Sequence, residues 1–586
     1  MNWDLSKLYQ GFDNEAFISD MNQLEADIRQ AGEAVAALPA EMDDAAALKA
    51  LLAEINGIAD RSDRLGALVF LTLAADTNCE AALEPRARML KLENEMEMLM
   101  SAFTRWCGAN PRLEALCAGD AELTAYLPLV RAAHERVQHL IDPALERDVR
   151  EMQLSGGKAW CRLRDELFAG LSIKLTIGGT EKELPLPAVR NLAFDADPAV
   201  REAAFRAEIA AYPRIETAMA ACLNGVKGEA ITMARLQNYP SVLDWALDQA
   251  RMDRDTLNAL TAAIQESYPM FRRYFTLKAR ALGCEKLKCC DLFAPMGGSD
   301  KRYTLDEAKA LLLETFGEFH APIAEVMRRA FEENWIDAYP RPGKEGGAFC
   351  QGVHALKMSY VLTNFEGSYS DVSTLAHELG HAFHDSMMND VPALLTDIPM
   401  PLAETASTFN ELLLSERVRA NASAQETLAI LESQVSDAAQ CIVDIMSRFL
   451  FESAVVEARK TRTLSARELK EMMLDAQRQT YGDAMDDDML HPYMWACKPH
   501  YYDTLYHFYN FPYAFGMLFG AGLNALRGQM GEAFWPAYEK LLRFSGSGTV
   551  REVAASVGID VADVDFWRGA LKQYADKIDA LAVLLS

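Results

Sequence analysis

The chain is short of positive charge. Its 586 residues carry 58 Lys and Arg against 85 Asp and Glu, for a net charge of −27 and a pI near 4.9. A nucleic-acid partner needs a basic surface, so that class is excluded, and an anionic membrane surface is excluded with it. Long hydrophobic runs are missing as well. The most apolar stretch, residues 517–526, is interrupted by glycines and falls short of the roughly 20 residues of a membrane span. The opening MNWDLSKLYQGFDNEAF has neither a basic region nor the apolar core of a secretion signal. Paired cysteines are absent too. Eleven cysteines are scattered, none in a C-x-x-C arrangement, and the one cluster (Cys284, Cys289, Cys290) has no matching second cluster. They read as reduced thiols, and the expected compartment is the cytoplasm. Fixed-period repeats and low-complexity linkers are also lacking.

What is present is material for a large core. Half the residues are hydrophobic and 24% are charged, the ordinary balance of a folded protein. Most of the chain has helical periodicity. Residues 15–35, 43–76, 86–107, 128–139 and 143–170 place apolar side chains three and four apart among Ala, Leu, Glu, Met and Arg. Pro85, Pro128 and Pro143 lie at or near the starts of these segments, where proline is tolerated. Residues 171–186, LSIKLTIGGTEKELPL, alternate apolar and polar around Gly178-Gly179 and predict a hairpin. Helices resume near Asp197. A second non-helical region covers 289–298 and 339–366, where GAFCQG and SYVLTNF predict short strands. The expected division is an N-terminal helical lobe over 1–195, with the hairpin near 171–187, and a catalytic lobe over 196–586.

The stretch that carries chemistry is residues 370–385, SDVSTLAHELGHAFHD. Histidines at i and i+4 of a helix share a face, about 6 Å apart along the axis, and can reach one ion. His377 and His381 have that spacing. Glu378 lies about 100° round the helix from His377, where its carboxylate can take a proton from water without ligating. Ser370 or Asp371 can cap the helix. Gly380 within it costs about 1 kcal/mol relative to alanine, which suggests a close approach of another backbone or a substrate. His384 is on the same face, but about 10 Å along the axis from His377, too far to share the ion well.

A following carboxylate is a better third ligand. PLAETASTFNELLLSERVRA opens at Pro401 and predicts a helix. Glu404 lies in its first turn, and Glu411 lies two turns on along much the same face. Two histidines and a glutamate form a catalytic rather than a structural zinc set. Glu404 is the first choice. Glu411 is a second candidate or a partner to a ligand, and Asp397 ranks lower.

These residues resemble the oligoendopeptidase F branch of the thimet-oligopeptidase family of zinc metallopeptidases. The resemblance rests on DVSTLAHELGHAFHD, on PLAETASTFNELLL, on the start WDLSKLY, on KPHYYDTLYHFYNFPYAFG and on FSGSGTVREVAASVGIDVADVDFW. It implies a mainly α, two-lobed helical ellipsoid with a deep central channel and a zincin-type active-site helix at its floor. It implies one catalytic Zn²⁺ held by His377, His381 and Glu404, with Glu378 as general base. It implies hydrolysis of internal peptide bonds in short unstructured oligopeptides. It further implies histidine and tyrosine donors to the substrate carbonyl within PHYYDTLYHFYNFPYAFG. His500, Tyr502, Tyr506, His507, Tyr509 and Tyr513 are there, with His500 and Tyr513 favoured and Tyr509 next. The spacing from His500 to the tyrosines is longer than the family pattern. SGSGT, residues 545–549, corresponds to a flexible loop near the channel.

Overall fold

The computed structural model describes residues 1–297 and 301–586. The fold is mainly helical, with five short strands among the described residues. Its local causes are those the sequence carries. Helices over Glu15–Ala36, Ala45–Ala75 and Leu83–Ala109 bury one apolar stripe each. Their starts are fixed by short polar side chains: Asn14 Oδ1 accepts from the Ala16 N–H and Asp44 Oδ1 from the Ala46 and Ala47 N–H groups. The helix expected over 143–170 is two helices, Pro143–Ser155 and Gly157–Ala169. The break falls at Gly156-Gly157, where Glu229 takes the Gly157 N–H at 2.5 Å and leaves no room for a side chain.

The expected hairpin forms. Strands β1 (Ser172–Ile177) and β2 (Thr180–Pro185) pair antiparallel through Gly178 and Gly179. Both glycines have positive φ, +57° and +79°, as a two-residue turn of this hand requires. The second sheet has the order β3-β5-β4, from Ile336–Asp337, Met358–Leu362 and Phe349–Val353. β3 is parallel to β5, and β4 is antiparallel to it with Phe349 opposite Leu362. The central β5 is buried at every residue and β4 forms an edge. Two residues are too few to carry a periodic signal, and the sequence gives no hint of β3.

The chain divides into two compact units. The first comprises Met1–Leu140, Lys301–Arg417 and Leu526–Gly558; the second comprises Ile141–Asp300, Val418–Ala525 and Ile559–Ser586. This differs from a single cut near residue 195, because each unit gathers segments far apart in the chain.

Helices α1 (Tyr369–Met387) and α2 (Thr405–Arg419) belong mainly to the first unit, and α1 packs on β4 and β5. Ser368, rather than Ser370 or Asp371, caps α1. Its hydroxyl accepts from the Asp371 N–H at 3.1 Å, and Asp371 Oδ2 accepts from the Ser368 N–H at 2.8 Å. The helix expected from Pro401 is interrupted. A four-residue turn, Met400–Ala403, ends at Glu404, and α2 begins one residue later.

Candidate active site

Gly380 sets how closely the two halves of the site approach. A Cβ built there would lie 2.7 Å from both Ala406 O and Ser407 Cα, so the backbone at the start of α2 lies directly against α1. Asn410 Nδ2 donates to Ala376 O at 3.2 Å and ties the same two helices. Glu404, at the interruption before α2, thereby faces the histidines of α1.

His377 Nε2 is 3.1 Å and His381 Nε2 is 3.5 Å from Glu404 Oε2. One atom from each of these residues lies within 4.8 Å of the others, a spacing that one ion can bridge. The other nitrogen of His377, Nδ1, contacts Glu411 Oε1. Ser407 donates its hydroxyl to Glu404 Oε2 at 2.7 Å. Glu411 is placed behind His377 rather than in the ligand group, and Asp397 is outside that group. The Ser407 contact was open to sequence reasoning, since a serine three residues after a carboxylate on a helical turn can reach back to it.

The local electrostatics follow from burial and pairing. Burial pushes the Glu378 carboxyl above its usual range, with Glu404 and Glu411 adding to the rise against His377 and His381. Burial works against charge on His377, but its contacts with Glu404 and Glu411 outweigh this and hold its pKa well above the ordinary imidazole value. Burial would raise Glu404, yet the hydrogen bonds and charges of His377 and His381 hold it far below the normal range.

His384 points elsewhere. It is fully buried, and its Nε2 meets Ser545 Oγ at 2.7 Å. Ser545 is itself buried, and Gly546 is pressed against Leu395 O, where a Cβ would come within 2.3 Å. The start of the SGSGT segment is thus packed rather than a loose loop. Cys284, Cys289 and Cys290 do not assemble into a metal set among the described residues.

In the second unit, His500, Tyr509 and Tyr513 come together. His500 stacks on Tyr509 with ring centroids 5.1 Å apart and meets Tyr513 edge-on at 6.2 Å; the two tyrosines are 5.6 Å apart. Tyr506 touches Tyr509 at 6.0 Å, whereas Tyr502 and His507 are buried. Burial, helped by Arg448 and Lys498, lowers His500 to about 4, so its ring is neutral at pH 7. Sequence reasoning missed what fixes this segment. Glu452, buried and paired with Lys227 at 2.6 Å, accepts the Phe508 N–H at 3.1 Å and Asn510 Nδ2 at 3.0 Å. Phe508 is held at φ +53°, outside the usual range for its residue type.

Comparison with known proteins decides the family: the model of peptidase family M3 matches residues 191–573. The chain belongs to peptidase family M3. This M3 peptidase is a metalloendopeptidase. It is 27% identical to the group B oligopeptidase PepB of Streptococcus agalactiae over 70% of this chain and 68% of that protein. It is 25% identical to oligopeptidase PepF of Bacillus subtilis over 81% of this chain and 71% of that protein. A solved chain from Chlamydophila abortus, 22% identical, superposes over 100% of this chain and 98% of its own with a TM-score of 0.84, which establishes the shared fold.

Proposed function

We propose that this M3 peptidase is a zinc-dependent endopeptidase of short, unstructured oligopeptides, with His377, His381 and Glu404 holding one zinc ion and Glu378 as general base. The relatives named as oligopeptidases support the substrate class. The observation that carries the reading is that two imidazole nitrogens and one carboxylate oxygen lie within 4.8 Å of one another. The donor set suits the ion: two nitrogens and one oxygen leave a fourth position open, as in catalytic rather than structural zinc sites. When bound, zinc supplies a Lewis acid for the scissile carbonyl and lowers the pKa of a water ligand to about 7.

The chain's own residues do the proton work. Glu378 takes a proton from the attacking water and passes it to the leaving amine. Its raised proton affinity suits both transfers. Glu411 orients the His377 ring and fixes which nitrogen is free for the ion. We assign neutral His500, with Tyr513 and Tyr509, as donors to the carbonyl oxygen that gains charge as water attacks. None of the eleven cysteines, all among the described residues, is in a disulfide, which supports a cytoplasmic location. No helix among the described residues is long and apolar enough to cross a membrane.

The test is turnover of an internally quenched peptide of about ten residues, measured as purified, after chelation and after zinc is restored, with product masses. Internal cuts that vanish and return with zinc are expected, and Glu378→Gln should lose about 10²–10⁴ in rate with zinc retained. Removal of terminal residues only would make the chain an exopeptidase. Near-normal activity of the glutamine variant would refute the mechanism.

A further inference from the structure

The two histidines of the candidate metal group have their spacing set by α1, but Glu404 has no helix to set its direction. It closes the four-residue turn Met400–Ala403 and stands just outside α2, with φ −85° and ψ 7°. Its side chain is 32% exposed, and a glutamate has a large rotamer freedom to lose before it can serve as a ligand. Something other than the local fold has to fix where its carboxylate points.

One side chain of α2 reaches back to it. The Ser407 hydroxyl is 2.7 Å from Glu404 Oε2 and 3.1 Å from the Glu404 backbone oxygen. A hydroxyl has one proton to donate. The backbone oxygen already accepts from the Thr408 N–H at 3.1 Å and from the Thr408 hydroxyl at 2.6 Å, so the Ser407 proton goes to Oε2. Oε2 is also the oxygen that faces His377 Nε2 and His381 Nε2. Among the described residues, Oε1 has no hydrogen bond and no ion pair. A carboxylate oxygen has two lone-pair sites; the hydroxyl takes one on Oε2 and leaves the other for an ion.

Ser407 is itself fixed from α1. It is fully buried, and its Cα lies 2.7 Å from where a Cβ on Gly380 would be. Gly380 is the residue before His381. Asn410, one turn further along α2, secures the same contact through Ala376 O at 3.2 Å. These contacts close a ring: α1 carries both histidines, Gly380 of α1 seats Ser407, and the Ser407 hydroxyl turns Glu404 Oε2 toward the histidines. The direction of the third ligand is thereby set by the helix that carries the other two.

We propose that Ser407 is a positioning residue of the metal centre, whose hydroxyl selects Oε2 of Glu404 as the single ligating oxygen and holds it toward His377 and His381. The proposal rests on the reading of Glu404 as the third ligand. Without the hydroxyl the carboxylate turns about its last torsion, and either oxygen or both can face the ion. Ser407 thus acts on metal affinity and on the number of bonds the ion makes. The packing of α1 against α2 is held separately, by the backbone contact at Gly380 and by Asn410.

The test is the zinc affinity of the full-length protein, measured by chelator competition. Alanine is smaller than serine and favours a helix, so Ser407→Ala should keep the circular dichroism of the parent. It should lose about 10–100-fold in zinc affinity. Glu404→Ala should lose more. Added to Glu404→Ala, Ser407→Ala should cost nothing further, because the two residues act through one contact. A loosening of the helix pair would instead add to the loss in that double variant. Cobalt in place of zinc gives a second readout: a carboxylate that binds through both oxygens raises the coordination number, so the visible absorption of the cobalt-loaded protein should weaken and shift in Ser407→Ala. Unchanged zinc affinity in Ser407→Ala, an unchanged cobalt spectrum, or a full extra loss in the double variant would each overturn the proposal. Unchanged affinity in Glu404→Ala would overturn the ligand reading, and the role of Ser407 with it.

Discussion

Glu411 directs its carboxylate at His377 Nδ1 while the opposite nitrogen of that ring faces Glu404. Such a partner fixes the tautomer and the ring orientation of a ligand, and its loss typically costs 10–100-fold in metal affinity. Glu411→Gln is therefore expected to keep the fold and lose about 10–100-fold in zinc affinity by chelator competition. An unchanged affinity would reduce Glu411 to a bystander. Tyr513 has a different signature. A donor to developing charge acts on kcat, so Tyr513→Phe should lower kcat about 10²–10³-fold with KM nearly constant. A change in KM alone would make it a packing residue of the aromatic cluster. The histidine pair and Glu378 are legible in the sequence because helical spacing fixes their geometry. The sequence also ranks Glu404 ahead of Glu411, but the break at Glu404 that turns it toward both histidines carries no local signal.

Elements carry the site by close backbone contact, and Gly380 is where that contact is tightest. A methyl group there would meet the backbone of Ala406 and Ser407 at 2.7 Å. Alanine would favour the isolated helix by about 1 kcal/mol, but overpacking against backbone costs about 1–3 kcal/mol, and it would also push α1 from the segment that holds Glu404. Gly380→Ala should therefore lower Tm and weaken zinc binding together. A raised Tm would show that the helices can part freely. The cost of a glycine in mid-helix was enough to suggest a close approach there. The hairpin at 171–186 was equally legible, because paired glycines and strict alternation leave little choice. The breaks at Gly156 and Glu404 were not legible. Each follows from a group distant in sequence or from the packing of α2, and local propensity does not register such partners.

At the scale of the molecule, the units take their residues from three stretches each, and two of the boundaries fall inside helices, at Arg417 within Thr405–Arg419 and Ala525 within Phe511–Met530. A boundary inside a helix has no linker composition, so a sequence read for linkers could not find it. The third histidine of the motif shows a related limit: helical spacing excludes it as a ligand, but only tertiary packing shows that it is core. His384 is fully buried against Ser545. Burial, with the neighbouring charge of His381, lowers its pKa from 6.5 to about 3. A buried neutral histidine of this kind binds its proton more weakly when folded than when unfolded. Its stabilising contribution is complete above about pH 6.5 and is withdrawn as pH falls from there towards 3. The shift corresponds to roughly 5 kcal/mol across that window. His507 in the second unit is also lowered by burial, with Lys227 adding, and acts in the same direction. Acid should therefore destabilise the protein steeply below pH 6.5. His384→Gln keeps a side-chain N–H for Ser545 and removes one titrating group. Denaturant midpoints between pH 4 and 7 should fall less steeply in that variant than in the parent. Parallel curves would mean that His384 is not what makes the first unit sensitive to acid.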